Sequence, residues 1–392
     1  MVKIIFYGTP EFAVPSLTQL LRSQFDVLAV VTRPDRPKGR GKKVLDSPIK
    51  QLAQTHQLPV MQPERVHLRD GSFATQLQSL APDLAVVAAY GHIIPEAILQ
   101  IPSFGTINVH ASLLPKYRGA APIHRSIIAG ESETGITIMR LVQEMDAGPM
   151  LSQTSHKISP TDTSVDVEQA LASLGATLLV TTIVELASGS ISETAQQHDQ
   201  ATYAPKIERK DGGIDWSNAA HDIHNLVRGL HPWPHAFTHS EGKRYLIHAT
   251  TLAPDTETTE QPGTIIRAHG HELMVSAGRN DALLIESLQA EGGKVLKTRD
   301  FLAGQRWTAG KRFDENKWSP QPDLLHTLSF VTWNQSGLTV QPRLHGHELI
   351  CPTLGTEHLS ERSSWECYVG ALRSITSSTF YRAVHLTASN PI

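Results

Sequence analysis

The sequence predicts an α/β chain with a smaller, β-rich domain behind it. Three observations carry this. Apolar β-branched runs alternate with helical periodicity through the first half. Composition turns polar after Gly189. From about Ile207, short strands follow one another with turn signals at close intervals. Runs apolar on both faces and separated by helices indicate a parallel sheet covered by helices. Closely spaced short strands indicate a small barrel or sandwich.

The elements are expected in this order. KIIFYG (Lys3–Gly8) and VLAVVT (Val27–Thr32) are strands. Between them Val14, Leu17, Leu20 and Leu21 share one helix face, with Thr9 and Pro10 placed as cap and first-turn proline. LPVMQP, LAVVAAY (Leu84–Tyr90), INVHA and GITIMRLV (Gly135–Val142) are further strands. A long helix is expected near Ser164–Ala187, capped by Thr161 or Asp162. GSISETAQQHDQATYAPK reads as a linker. Then come a helix over Asn218–Leu230 and the strands YLIHAT, GTIIRA, ELMVSA and ALLIESL. Residues 314–392 are Ser/Thr-rich, hold three Trp and both Cys, and show no period. They are read as an atypical tail, with disorder as one reading. The expected division is 1–188, a linker 189–206, a second domain 207–313 and the tail 314–392.

Composition bounds the function. The chain has 392 residues, 40% of them apolar, and a formal charge of -3. That suits two globular domains. No apolar run is read as long enough to span a bilayer, and MVKIIFYGTPEF lacks the form of a signal peptide. Two Cys make neither a disulfide framework nor a zinc pattern. The expectation is a cytoplasmic protein without a metal. Near-neutral charge means that a nucleic-acid partner must be met by a local basic patch.

Chemistry concentrates in INVHASLLPKYRGAAP (Ile107–Pro122). In a parallel α/β sheet, ligands bind beyond the carboxyl ends of the strands. Asn108 and His110 stand two apart near such an end, so both side chains share a face. Asp146 follows the GITIMRLV strand in QEMDAGP and reaches the same sheet edge if the two strands are neighbours. An amide, an imidazole and a carboxylate suit acyl transfer to an amine. The amide donates to an oxyanion, the imidazole shuttles a proton, and the carboxylate orients the imidazole or relays a proton. No Ser or Cys nucleophile stands beside them, since Ser112 lies past the turn. Direct transfer through a tetrahedral intermediate follows. A lone strand-end His is more often structural, and Asn-x-His alone leaves the two readings balanced.

FYGTPEFAVPSL, RPDRPKGRGKK, INVHASLLPKYRGAAPI, GITIM…MDAGPML and DWS…IHNLVRGLHPWPHA, in this order over residues 1–313, resemble the methionyl-tRNA formyltransferase family. The resemblance implies a Rossmann-like formyltransferase domain followed by an OB-fold-like barrel. It implies transfer of a formyl group from 10-formyltetrahydrofolate to the amino group of methionyl-initiator tRNA, for the initiation of protein synthesis. The family's catalytic Asn, His and Asp fall on Asn108, His110 and Asp146. Its folate-associated segment falls on Ser112, Leu113, Leu114 and Pro115, whose main-chain groups are expected to hold the folate. The family is expected to be monomeric. No GxGxxG follows the first strand, so NAD is not implied.

TRPDRPKGRGKKVLDSP carries Arg33, Arg36, Lys38, Arg40, Lys42 and Lys43, against Asp35 and Asp46, on a Pro- and Gly-rich loop. The loop leaves the same sheet edge, where it can grip phosphates, and the resemblance assigns it to the tRNA. A solvated surface loop is the plainer alternative. Lys206, Arg209 and Lys210 lie at the linker–barrel junction, where a tRNA stem can pass, and a solvated junction is the equal alternative. Lys116, Tyr117 and Arg118 face either substrate or solvent. His231, Trp233 and His235 read as barrel packing, and His269 and His271 as a turn. Three rivals stand beside this reading: a formyltransferase for a purine precursor or an amino sugar, an RNA-binding protein with a degenerate enzyme domain, and an NAD-dependent oxidoreductase.

Overall fold

The computed structural model describes residues 1–38, 43–64, 72–253 and 256–314, and short backbone pieces between 331 and 348. The chain divides into two compact units, Met1–Ser319 and Pro320–Ile392.

The first unit opens with β1 (Lys3–Gly8), α1 (Val14–Arg22) and β2 (Asp26–Val31), then β3 (Arg36–Lys38) and β4 (Lys43–Leu45). Next are α2 (Pro48–Thr55), β5 (Val60–Met61), α3 (Ser72–Leu80), β6 (Leu84–Ala88), α4 (Glu96–Leu99) and β7 (Thr106–His110). Then follow β8 (Arg118–Gly119), α5 (Pro122–Ile128), β9 (Glu133–Arg140), β10 (Met150–Lys157) and α6 (Ser164–Ser188). Seven strands form one sheet in the order β10-β9-β7-β6-β1-β2-β5. Strands β7, β6, β1, β2 and β5 are parallel, as expected. Strands β9 and β10 are not: β9 runs antiparallel to β7, and β10 antiparallel to β9. Alternation along β1 serves both sheet faces. Ile4 and Phe6 join the core beneath α1 and α6, while Ile5 and Tyr7 join the core on the α3 side.

Several local expectations change. A short 3-10 helix (Glu11–Ala13) precedes α1, so Pro10 caps that turn and Ala13 caps α1. Helix α6 is capped by Thr163, in a reciprocal box with Asp166, rather than by Thr161 or Asp162. The basic stretch is not a plain loop, because β3 and β4 pair as an antiparallel hairpin. Helix α6 is long and apolar enough to cross a membrane by length and composition, contrary to the run-length expectation. Its Val167, Leu171, Leu179 and Ile183 are fully buried in the sheet core, each contributing about 1.5–3 kcal/mol. Gly175 permits the approach of α6, since a Cβ there would stand 3.0 Å from Val109 Cγ1.

The rest of the unit comprises β11 (Tyr203–Ala204), α7 (Ala220–Gly229), β12 (Ala236–Ser240), β13 (Lys243–Leu252), β14 (Ile265–His269), β15 (Glu272–Ser276), β16 (Ala282–Ala290), β17 (Leu296–Lys297) and α8 (Thr298–Gly304). The sheet order is β12-β13-β16-β15-β14, with β17 on β16. Residues 310–314 join its two edges. Ile265 N donates to Lys311 O at 2.7 Å, Phe313 N to Gly263 O at 2.9 Å, and Asp314 N to His239 O at 2.8 Å. The sheet thereby closes into a barrel. Phe313 stacks on Trp216 at 5.1 Å and meets Trp307 edge-on at 5.3 Å. The barrel thus uses Asp314, one residue beyond the expected boundary. Arg228 Nη1 donates to Asp162 O at 2.9 Å, and Ser164 Oγ to His231 O, fastening α7 and the following turn to the start of α6. Trp233 is 50% exposed, so it is not barrel packing.

In the second unit, Val331–Asn334 pairs with Gly337–Val340, and Arg343–Leu344 with His347–Glu348, both antiparallel. Both Cys lie outside the described residues.

Candidate active site

Asn108 and His110 sit at the carboxyl end of β7, and their shared face follows from the period of two. The Asn108 side chain is half-buried and makes no hydrogen bond to another described residue. His110 is buried. Its Nε2 lies 3.0 Å from Tyr117 O, and its Nδ1 lies 3.7 Å from Asp146 Oδ2. Both ring nitrogens therefore face oxygen acceptors.

Asp146 does not arrive by a shared strand edge. The register pairs His110 with Thr137 and Ile107 with Arg140, so β9 ends beside the beginning of β7. The β9–β10 loop must turn back along the sheet to bring Asp146 to His110. Three contacts hold it there. Gly119 N donates to Asp146 Oδ2 at 2.8 Å. Gln196 Nε2 donates to Asp146 O and to Gly148 O, each at 2.8 Å. Asp146 and Tyr117 both take positive φ, 48° and 60°, which marks the tightness of the two turns.

Gln196 lies in the stretch read as a linker, and that stretch is a strap. Met150 and Thr194 exchange two backbone hydrogen bonds at 2.8 Å. Tyr203 and Ala204 pair with Arg118 and Gly119. Tyr117 N donates to Thr202 Oγ1 at 2.9 Å. Arg118 is 1% exposed and so does not face solvent. It donates from Nε and Nη2 to Gln196 Oε1 at 3.0 and 2.8 Å. Nothing periodic or motif-like in the linker signals this role, and Gln196 and Gly119 escape a reading based on catalytic residue types.

The Ser112–Pro115 turn is tied inward. Ser112 Oγ donates to Lys116 O at 2.6 Å and Thr137 Oγ1 to Ser112 O at 2.7 Å. Leu114 N donates to Thr137 Oγ1 at 3.1 Å, and Gln153 Nε2 donates to Leu114 O at 2.8 Å. The Leu114 N–H is thus engaged, while its carbonyl accepts one hydrogen bond and keeps a second lone pair. Leu113 remains half-buried and packs against Gly135.

The basic residues divide. Arg36, Lys38 and Lys43 belong to the β3–β4 hairpin, whereas Arg40 and Lys42 lie outside the described residues. Lys206 and Arg209 are exposed, and neither makes an ion pair among the described residues. Lys116 is exposed, 3.5 Å from Glu131. His269 and His271 flank Gly270 in the β14–β15 turn. Among the described residues no group of three or more His, Cys, Asp or Glu is arranged to hold a metal.

Residues 2–183 match the formyl transferase family model, and residues 206–306 match the model of the formyl transferase C-terminal domain. The methionyl-tRNA formyltransferase of Koribacter versatilis is 46% identical over 303 residues, 77% of this chain and 96% of that protein. The enzyme of the same name from Enterococcus faecalis is 46% identical over 78% of this chain and 96% of its own length. The Bacillus subtilis one is 43% identical over 79% and 97%. Among solved structures, an N-formyltransferase of Helicobacter canadensis in complex with folinic acid and dTDP-3-aminofucose has a TM-score of 0.56 at 19% identity. That match covers 73% of this chain and 99% of that one, and at this identity the likeness is one of fold. From the identity to curated relatives over nearly their whole length, the chain belongs to the methionyl-tRNA formyltransferase family.

Proposed function

We propose that this protein transfers a formyl group from 10-formyltetrahydrofolate to the α-amino group of methionyl-initiator tRNA, acting as a cytoplasmic monomer. In this reading residues 1–188 carry the folate and the chemistry. Residues 189–206 connect, residues 207–313 contact the tRNA through an OB-like barrel, and the tail from 314 has no catalytic part. The single observation that carries the chemistry is the pairing of His110 with Asp146 at 3.7 Å beside the unengaged Asn108 amide.

The neutral amine attacks the formyl carbon, and the carbonyl π electrons move onto oxygen. Asn108 donates a hydrogen bond to that oxygen, a stabilisation worth about 3–4 kcal/mol in comparable sites. His110 adds a second donor by exchanging its contact with the Tyr117 carbonyl. Asp146 faces the imidazolium and, directly or through water, takes the amine proton and returns it to the folate nitrogen as the old C–N bond breaks. Ser112, Leu113, Leu114 and Pro115 shape the folate side, chiefly by apolar contact. Arg36, Lys38, Arg40, Lys42, Lys43, Lys206 and Arg209 hold tRNA phosphates. The hairpin and the second domain support a tRNA acceptor over an amino sugar or a purine precursor.

The test is formyl transfer from 10-formyltetrahydrofolate to methionyl-initiator tRNA, with free methionine as the control acceptor. Transfer to the charged tRNA alone is expected. Transfer only to a nucleotide-linked amino sugar or a purine precursor would establish a rival.

A further inference from the structure

Four register partners form a row across one sheet face: Val31 on β2, Tyr7 on β1, Val87 on β6 and Asn108 on β7. Past this row, at the same carboxyl edge, stand two polar side chains that the transfer chemistry does not use. Tyr90 is 2% exposed and packs edge-on against Tyr7 at 5.4 Å. Its hydroxyl is buried with no hydrogen-bond partner among the described residues. Burial pushes its pKa up to about 12, and the charge of Arg33 acts against that rise. Arg33 follows Val31 by two residues and is half-buried. Its guanidinium lies along Gly91, where a Cβ would stand 3.5 Å from Nη1. Its main chain is fixed, with Arg33 N donating to Thr9 Oγ1 at 3.4 Å and Gln62 Nε2 donating to Arg33 O at 2.9 Å. The guanidinium itself makes no hydrogen bond or ion pair among the described residues. The neighbouring cation Lys50 is engaged with Asp35 and Asp46.

The geometry points to a phosphate subsite: Arg33 and the Tyr90 hydroxyl bind a phosphate of the acceptor's 3′ end while its amine lies at Asn108. This rests on the reading of the chain as an aminoacyl-tRNA formyltransferase. A guanidinium presents its donors in a planar fork that matches a phosphate's oxygens, and the phenol adds one more donor. Arg33 stands three strand spacings from Asn108, roughly 14 Å across the sheet, a span that an aminoacyl ester and its nucleotide bridge. It also stands at the root of the β3–β4 hairpin, three residues before Arg36. A phosphate held here therefore lies next to the start of the basic stretch that β3 opens. A polyanionic acceptor fits this placement better than the carboxylates of a folate tail.

The test is the salt dependence of kcat/KM for methionyl-tRNA in the full-length protein and in Arg33→Gln. The variant is expected to lose roughly 10- to 100-fold in kcat/KM, as for one charge-assisted contact. Its log–log salt slope becomes shallower by about 0.7, as for one single-strand phosphate. The folate KM and the melting temperature stay unchanged. Tyr90→Phe loses less on the same parameter and melts no lower. A wild-type protein that does not use methionyl-tRNA overturns the functional reading and the subsite together. A wild-type protein that does, with an unchanged slope in Arg33→Gln or a raised folate KM, overturns the subsite alone.

Discussion

His110 Nδ1 and Asp146 Oδ2 lie 3.7 Å apart although the strands that precede them end at opposite edges of the sheet. The pair exists because the β9–β10 loop turns back and is pinned by Gly119 N and by Gln196. Asn108 needs no such device, since it shares β7 with His110.

Asn108→Ala is expected to lower kcat by about 10²–10³ with little change in KM, because the amide acts on charge that develops in the transition state. Steady-state kinetics with both substrates measure this. A rise in KM alone would place Asn108 in ground-state binding.

Gln196 is expected to act through Asp146. Gln196→Ala takes the Oε1 acceptor from Arg118 Nε and Nη2, leaving the guanidinium only His198 Nδ1 and Glu144, and leaves two carbonyls without this donor, a loss of about 2–4 kcal/mol. Gln196→Glu keeps an acceptor for Arg118 and removes only the donors to Asp146 O and Gly148 O. It should melt closer to wild type yet lose at least about tenfold in kcat, since misplacement of a reacting group is costly. Thermal unfolding and kinetics on the two variants separate the effects.

Barrel closure predicts that Phe313→Ala destabilises by about 3–5 kcal/mol, the usual loss for a buried aromatic. Truncation before Trp307 should prevent folding of the barrel. Truncation after Asp314 should keep both the edge contacts and the Trp216–Phe313 stack. Circular dichroism and urea unfolding of the three proteins decide it.

His235 lies against His248 at 4.1 Å and His231 at 5.5 Å. Burial first, then the charges of these two rings, lowers its pKa from 6.5 to about 4. The unfolded chain therefore binds more protons between these values. Stability is complete above about pH 6.5 and is lost as pH falls toward about 4. His235→Asn tolerates the positive φ of 67° and does not titrate. Its melting temperature should fall less steeply over that range.

Much of this was legible locally. The period-two spacing of Asn108 and His110, the alternation along β1 and the polar break after Gly189 are properties of short stretches of chain, and the structure keeps them. Three features were not. The antiparallel direction of β9 depends on which strand it meets, and its own residues read the same in either direction. The polar 189–206 stretch has no period, so nothing local marks Gln196 as the clamp on Asp146. The apolar run of α6 became core only because β9 and β10 lie beneath it. Most element types and the amide–imidazole pair follow from short-range periodicity and residue chemistry, so short stretches of chain suffice to specify them. The convergence of Asp146, Gly119, Gln196 and Arg118 on that pair arises in the folded chain. Their convergence comes from long-range hydrogen bonds between segments far apart in the chain, and no local pattern encodes those.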